Sequence, residues 1–172
     1  MNYFELFNLA PSYLPEPKAL AQTYRTLQAQ HHPDRFVTQD SQVQKQSMQH
    51  AAMINDAYQT LKNPLLCAQY MLQLQGIELK DEQQTLNDMP FLMQQMQLRE
   101  QLEAIEASDD AEQQLEHFVE KLKGEQQNLR QDFVQRYQNN DFISASHSVR
   151  KMKFFVRLEQ QCAQLEDQLL DD

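Results

Sequence analysis

The sequence predicts an all-α protein in two parts, an N-terminal helical unit followed by a three-helix bundle. Three observations predict it. Apolar residues recur at helical spacing along most of the chain, and no run alternates as a half-buried strand would. Only two Gly and six Pro stand among 172 residues, too few for the hairpins of a sheet protein or for a glycine-rich phosphate loop. Charge is also uneven: residues 1–75 carry five Lys/Arg and five Asp/Glu, and residues 76–172 carry the other ten bases and twenty acids. The break falls near Gly76 and is followed by a Gln-rich stretch from Lys80 to Asp88. The expected organisation is therefore a unit over residues 1–75, a linker over 76–87 and a second unit over 88–172.

The elements follow in order. Tyr3, Phe4, Leu6, Phe7 and Leu9 form a short apolar cluster broken by Pro11, Pro15 and Pro17. From Lys18 to His32, Leu20, Tyr24, Leu27 and His31 hold one face of an amphipathic helix. Pro33 stops it, because proline disfavours helical geometry in the residue before it and donates no N–H. A polar loop from Asp34 to Ser41 leads to a long helix, about Gln42 to Leu61, with Met48, Ala51, Ala52, Asn55, Tyr58 and Leu61 expected inside. Asn63-Pro64 ends that helix, and Leu65 to Leu74 makes a shorter one with Leu66, Tyr70 and Leu74 as its stripe.

Beyond the linker, Asp88 is the expected cap of a helix from Met89 to about Ala107, with Pro90 in its first turn. Ser108-Asp109-Asp110 closes it and caps the next, whose stripe is Leu115, Phe118, Val119, Leu122, Leu129, Phe133 and Tyr137. Gly124 within that helix costs roughly 1 kcal/mol against Ala. Asn139-Asn140-Asp141 turns the chain into a last helix, Phe142 to about Leu170. Three antiparallel helices with short connections make a bundle.

Composition excludes several functions. A net charge of −10 argues against nucleic acid as a partner, since phosphate affinity comes largely from Lys and Arg. Cys67 and Cys162 lie far apart and form neither a disulfide framework nor a zinc ribbon, and reduced thiols are expected. Five His invite a search for metal, yet no HExxH, no i/i+4 His pair and no Cys-His zinc spacing occurs. His31 and His32 are adjacent, so their rings diverge by about 100° on a helix, and His50, His117 and His147 stand alone. Neither Cys has a His nearby in sequence, and no activated nucleophile is evident. No metal, cofactor or enzyme activity is expected. No stretch reaches the roughly 18–20 apolar residues of a membrane span, and Met1-Asn2-Tyr3-Phe4-Glu5 looks like neither a secretory signal nor a transit peptide. The expectation is a soluble protein of a bacterial-type cytoplasm.

One tripeptide stands out. His32-Pro33-Asp34 joins two helices, so that Pro33 fixes a reversal and presents an imidazole beside a carboxylate on an exposed turn. By spacing alone it is equally a plain helix stop capped by Asp34. Its surroundings add to it: Tyr3-Phe4-Glu5-Leu6-Phe7, then His32-Pro33-Asp34-Arg35-Phe36, then Ile54-Asn55-Asp56-Ala57-Tyr58-Gln59-Thr60-Leu61 followed by Pro64. Together, in order and spacing, these resemble a J domain over residues 1 to about 75. With Phe91 to Glu100 and the closing Val149-Arg150-Lys151-Met152-Lys153-Phe154, the whole chain is similar to the HscB-type J-domain co-chaperones of iron–sulfur cluster assembly. The resemblance implies a J domain, an antiparallel helix pair with short helices, that stimulates ATP hydrolysis by the DnaK-like chaperone HscA. It also implies a C-terminal three-helix domain that binds the cluster scaffold IscU.

Site residues follow from both readings. The resemblance assigns chaperone contact to His32, Pro33 and Asp34; the helix from Lys18 is less basic than such domains usually show, leaving Arg25, Arg35 and the two His to support the contact. In the helix from Met89, a step of about 100° puts Phe91, Leu98, Leu102 and Ile105 on one stripe. Leu92, Met93 and Met96 fall roughly 160° away, a second apolar patch that one packed helix does not need. Leu and Met suit an adaptable protein-binding surface, or the patch packs on another element of the chain. Phe154 lies off the Phe142, Ala145, Val149, Met152 and Val156 stripe and is expected to join the patch. The resemblance makes Leu92, Met93, Met96 and Phe154 scaffold-contacting positions, with Glu100 and Glu103 as an acidic rim. Two other readings stay open: a J-domain co-chaperone with a different client, and a helical structural or metal-binding protein.

Overall fold

The computed structural model describes residues 1–79 and 88–171, and every long element among them is an α-helix. Residues 80–87, most of the expected linker, lie outside the described residues. The chain divides into two compact units, Met1–Met71 and Leu72–Asp172.

In the first unit, α1 (Tyr3–Leu6) is a single turn with a reciprocal cap. Asn2 Oδ1 accepts from the Glu5 N–H at 2.8 Å, and Glu5 Oε2 accepts from the Asn2 N–H at 3.2 Å. It buries Phe4, and Phe7 just after it is buried too. α2 (Pro17–His31) opens on Glu16, whose carboxylate accepts from the Lys18 and Ala19 N–H groups, with Pro17 in its first turn. α3 (Ser41–Lys62) opens on Asp40, which accepts from the Val43 N–H at 2.9 Å. The two run antiparallel. Tyr24 stacks on Tyr58 with ring centroids 4.0 Å apart, and the Tyr24 hydroxyl donates to the Asn55 side chain. At the end next to the turn, the His31 and His50 rings stack at 5.3 Å. α4 (Pro64–Leu74) is capped by Asn63 and closed by Gly76 at φ +78°, where Ile77 N–H reaches the Leu72 carbonyl at 3.0 Å. The Tyr70 hydroxyl accepts from the Tyr3 N–H at 2.9 Å, tying α4 to α1.

Two stripes differ from expectation. In α3 the buried residues are Ser47, Ile54, Ala57 and Leu61; Met48 and Ala52 face solvent, and Asn55 is exposed and spends its side chain on Tyr24. The inward face is turned because Ser47 is drawn in by a carbonyl of the α2 end, and Ile54 takes the place that Asn55 was expected to hold. In α4 the buried residues are Cys67, Ala68, Met71 and Leu72, so Leu66 and Leu74 stand on the outer side. Small Cys and Ala side chains let that face approach its neighbours closely, which a stripe drawn through the largest residues misses.

In the second unit, α5 (Met89–Glu106), α6 (Ala111–Gln138) and α7 (Phe142–Asp171) form the bundle. Asp88 caps α5, accepting from the Phe91 N–H at 3.1 Å. Asp110 precedes α6 without a side-chain cap; its carboxylate accepts instead from Gln114 Nε2 at 2.6 Å. Asn140, at φ +59°, closes α6 and turns the chain into α7. There Arg136 donates to the Ser144 carbonyl at 3.0 Å and to Ser148 Oγ at 3.1 Å, fixing the α6–α7 corner. Phe91, Leu98 and Ile105 of α5, Leu115, Phe118, Leu122, Leu129 and Phe133 of α6, and Ala145, Val149, Met152, Phe155 and Leu158 of α7 fill the core. Each buried aromatic or branched side chain contributes about 1.5–3 kcal/mol.

Candidate functional site

Two separate surfaces hold the residues singled out by sequence. The first is the His-Pro-Asp turn. His32 ends α2 in extended geometry (φ −63°, ψ 133°), as a residue before proline must, and Pro33–Phe36 form one 3-10 turn. The imidazole Nδ1 accepts from the Asp34 N–H at 3.2 Å, which in the neutral ring leaves the proton on Nε2, and the His32 side chain is 56% exposed. Asp34 Oδ2 lies 3.5 Å from the same Nδ1, and the Asp34 side chain is 86% exposed. The turn thus presents one N–H donor and one carboxylate on a short rigid frame. Arg25 is exposed on α2, on the same face as Lys18 by helical geometry. Arg35 is engaged differently: its guanidinium turns back and donates to the Ala29 carbonyl at 3.2 Å, an interaction that suits a cation at a helix C-terminus.

The second surface is the outer face of α5. Met93 and Met96 are each 57% exposed, and Leu92 is half-buried beside them. Met89, also exposed, falls on the same face by the helical step and was missed by sequence reasoning; carrying the same arithmetic back one turn finds it. Glu100 and Glu103 continue the face towards the helix end and are exposed.

Phe154 departs from expectation. It is only 8% exposed, packed edge-on against Phe91 at 5.7 Å and Phe155 at 5.3 Å. The Arg99 guanidinium carbon lies 5.7 Å from the centre of its ring. It sits in the seam between α5 and α7, beneath the helix that carries the Met row, because α7 has enough apolar residues to pack two adjacent faces. Two residues that sequence reasoning passed over border the first site. Ser47 Oγ donates to the His31 carbonyl at 3.2 Å, and Gln44 Nε2 donates to the Val37 and Gln39 carbonyls at 2.8 and 3.0 Å.

Chemistry elsewhere is subdued. Burial pushes both cysteine thiols up to about 11, so Cys67 and Cys162 stay protonated at neutral pH and are poor nucleophiles. Among the described residues no three His, Cys, Asp or Glu side chains converge to hold a metal ion. No helix among them is long and apolar enough to cross a membrane.

Comparison with known proteins bears on the whole chain. Residues 87–163 match the family described as the HSCB C-terminal oligomerisation domain. A co-chaperone protein HscB homolog of Vibrio cholerae is 43% identical over 170 residues, covering 99% of both chains. The solved structure of chaperone HscB from Vibrio cholerae superposes with a TM-score of 0.92 at 42% identity, over 98% of this chain and 99% of that one. The crystal structure of human co-chaperone protein HscB gives 0.87 at 28% identity, over 95% of this chain and 81% of the human one.

Proposed function

Because the chain belongs to the HscB family of J-domain co-chaperones of iron–sulfur cluster assembly, we propose that it activates a DnaK-like chaperone of the HscA type and delivers the scaffold IscU to it. The observation that carries the first half is the His-Pro-Asp turn, exposed, hydrogen-bonded within itself and offering a donor beside a carboxylate. The chain supplies no catalytic group to ATP hydrolysis. His32 and Asp34 meet the chaperone through hydrogen bonds and charge, and their contact favours its hydrolysis-competent state. Pro33 holds the two at fixed separation, and Arg25 adds a cation on the exposed side of α2. Arg35 contributes by steadying the turn against α2 while keeping positive charge near it.

The second half rests on the Met row of α5. Leu92, Met93, Met96 and the neighbouring Met89 offer the scaffold flexible apolar contact, with Glu100 and Glu103 as a rim that favours a basic partner. Phe154 supports that face from beneath rather than supplying an exposed ring. Carrying both surfaces on one chain raises the scaffold's effective concentration at the chaperone.

The test is steady-state ATP hydrolysis by the cognate chaperone with this protein and the scaffold added singly and together. Synergy is expected, and His32→Gln should remove it while scaffold affinity by calorimetry stays unchanged. Stimulation that survives His32→Gln would reject the J-domain reading. Stimulation indifferent to the scaffold would keep the J domain and reassign the client.

A further inference from the structure

We infer that Gln44 and Ser47 are positioning residues that hold the His-Pro-Asp turn in the geometry it presents to the chaperone, an inference that rests on the reading of that turn given above. Helix ends leave backbone carbonyls without partners, and a turn following such an end is free to move unless something holds them. Here α3 supplies the hold. Ser47, buried at 6% exposure, donates its hydroxyl to the carbonyl of His31, the residue immediately before the motif. Gln44 donates both hydrogens of its amide, one to the Val37 carbonyl at 2.8 Å and one to the Gln39 carbonyl at 3.0 Å. The two side chains are three residues apart and so share one face of α3. One grips the chain just upstream of His32 and the other just downstream of Phe36.

The turn's remaining bonds are local. Arg35 N–H reaches the His32 carbonyl at 3.0 Å, Gln39 N–H the Phe36 carbonyl at 3.0 Å, and the Arg35 side chain the Ala29 carbonyl at 3.2 Å. Each of these links the turn only to itself or to α2. Gln44 and Ser47 link it to α3, so they alone among these bonds fix its position across the helix pair. Neither residue is placed to meet the chaperone with the hydrogens it has already committed. Their effect is on the fraction of molecules whose turn is ready to bind, and apparent affinity scales with that fraction.

This gives a signature in ATPase stimulation. With Gln44→Ala the co-chaperone concentration for half-maximal stimulation should rise about tenfold, and with Ser47→Ala about threefold, the worth of two lost hydrogen bonds and of one. The maximal stimulated rate should stay as in the unaltered protein, because a docked turn is the same turn. Ser47→Thr keeps the hydroxyl and should restore the original half-saturation. Gln44→Glu keeps the size but puts an acceptor against two carbonyls, and should be at least as weak as Gln44→Ala. Amide hydrogen exchange at residues 34–39 should quicken in both Ala variants while exchange in the middle of α2 and α3 stays slow. Unchanged half-saturation and unchanged exchange in the Ala variants would overturn the inference, as would a loss that Ser47→Thr fails to rescue. His32→Gln run alongside separates the two readings: if the unaltered protein stimulates and His32→Gln does not, the turn's function stands whatever Gln44 and Ser47 do. No stimulation by the unaltered protein would reject both.

Discussion

The turn between α2 and α3 and the outer face of α5 expose recognition groups in opposite ways. The turn presents two polar side chains on a backbone held by seven hydrogen bonds from nearby backbone and side chains, so that where each of them starts from is fixed. The α5 face presents three exposed methionines on a helix whose inner side is locked into the bundle, so the backbone is fixed while the side chains stay free. Hydrogen bonds to a charged group depend steeply on angle and distance, and an unbranched thioether adapts to many shapes. A surface of the first kind should fail abruptly on single changes; one of the second should fail by degrees.

The largest effect expected on this contrast comes from beneath the α5 face. Phe154→Ala removes a ring packed on Phe91 and Phe155, and should destabilise the bundle by about 3–5 kcal/mol, read as a fall in its thermal midpoint. If Phe154→Ala instead weakened scaffold binding at unchanged stability, Phe154 would belong to the exposed surface after all. Next in size, Leu92→Ala with Met96→Ala should weaken scaffold binding roughly tenfold to hundredfold with the midpoint nearly constant. Met93→Leu, which keeps volume and apolarity, should cost less than about twofold. A steep loss with Met93→Leu would mean the face is as exacting as the turn, and the contrast would collapse.

The sequence made the helices and their order legible because amphipathic spacing and helix stops are local signals. Pro33, Asn63-Pro64 and Asp88 each act on the residues beside them, and each stands where a helix begins or ends. The bundle stripes were legible in part for the same reason: Leu115, Phe118, Leu122, Leu129 and Phe133 of α6 and Ala145, Val149 and Met152 of α7 are buried. Phe142 and Val156, by contrast, are only half-buried, and the buried Phe155, Leu158, Cys162 and Leu165 lie off the expected α7 stripe. What was not legible depends on partners distant in sequence. Ser47 is polar and mid-helix, and only the His31 carbonyl sixteen residues away makes its burial favourable. Gln44 reads as solvated surface until the Val37 and Gln39 carbonyls are placed next to it. Phe154 lies off the one stripe that the spacing of α7 picks out, and it is buried because α5 covers a second strip of that helix.

A smaller effect tests how much of the bundle's stability is local. Gly124 lies in the middle of α6, exposed, with nothing within 4 Å of where a Cβ would stand. Gly124→Ala should therefore stabilise by up to about 1 kcal/mol, through lower backbone entropy in the unfolded chain, and leave both surfaces unchanged. Loss of scaffold affinity in Gly124→Ala would show that the α5 face needs a pliable α6 behind it, against the fixed backbone described above.

The smallest effect turns on Glu159, half-buried on α7. Burial raises its carboxyl above the ordinary carboxylate range, and the Gln126 side chain, Arg130 and Lys123 on α6 offset this only in part. A raised value in the folded state means that folding favours the protonated acid, so the ionised form at neutral pH is a cost to the bundle. Stability from this group is complete below its unfolded value, near 4.3, and is lost as pH rises through the raised folded value. Glu159→Gln removes the charge and keeps the shape. At pH 7 it should raise the bundle's thermal midpoint by about 1 °C, the group being too exposed for more. As pH falls the gap to the unaltered protein should narrow, and it should vanish once Glu159 is protonated in both states. A Glu159→Gln midpoint below that of the unaltered protein at pH 7, with the deficit closing as pH falls, would mean that the pull of Arg130 and Lys123 outweighs burial, and that this part of the α6–α7 seam is held by charge rather than by packing.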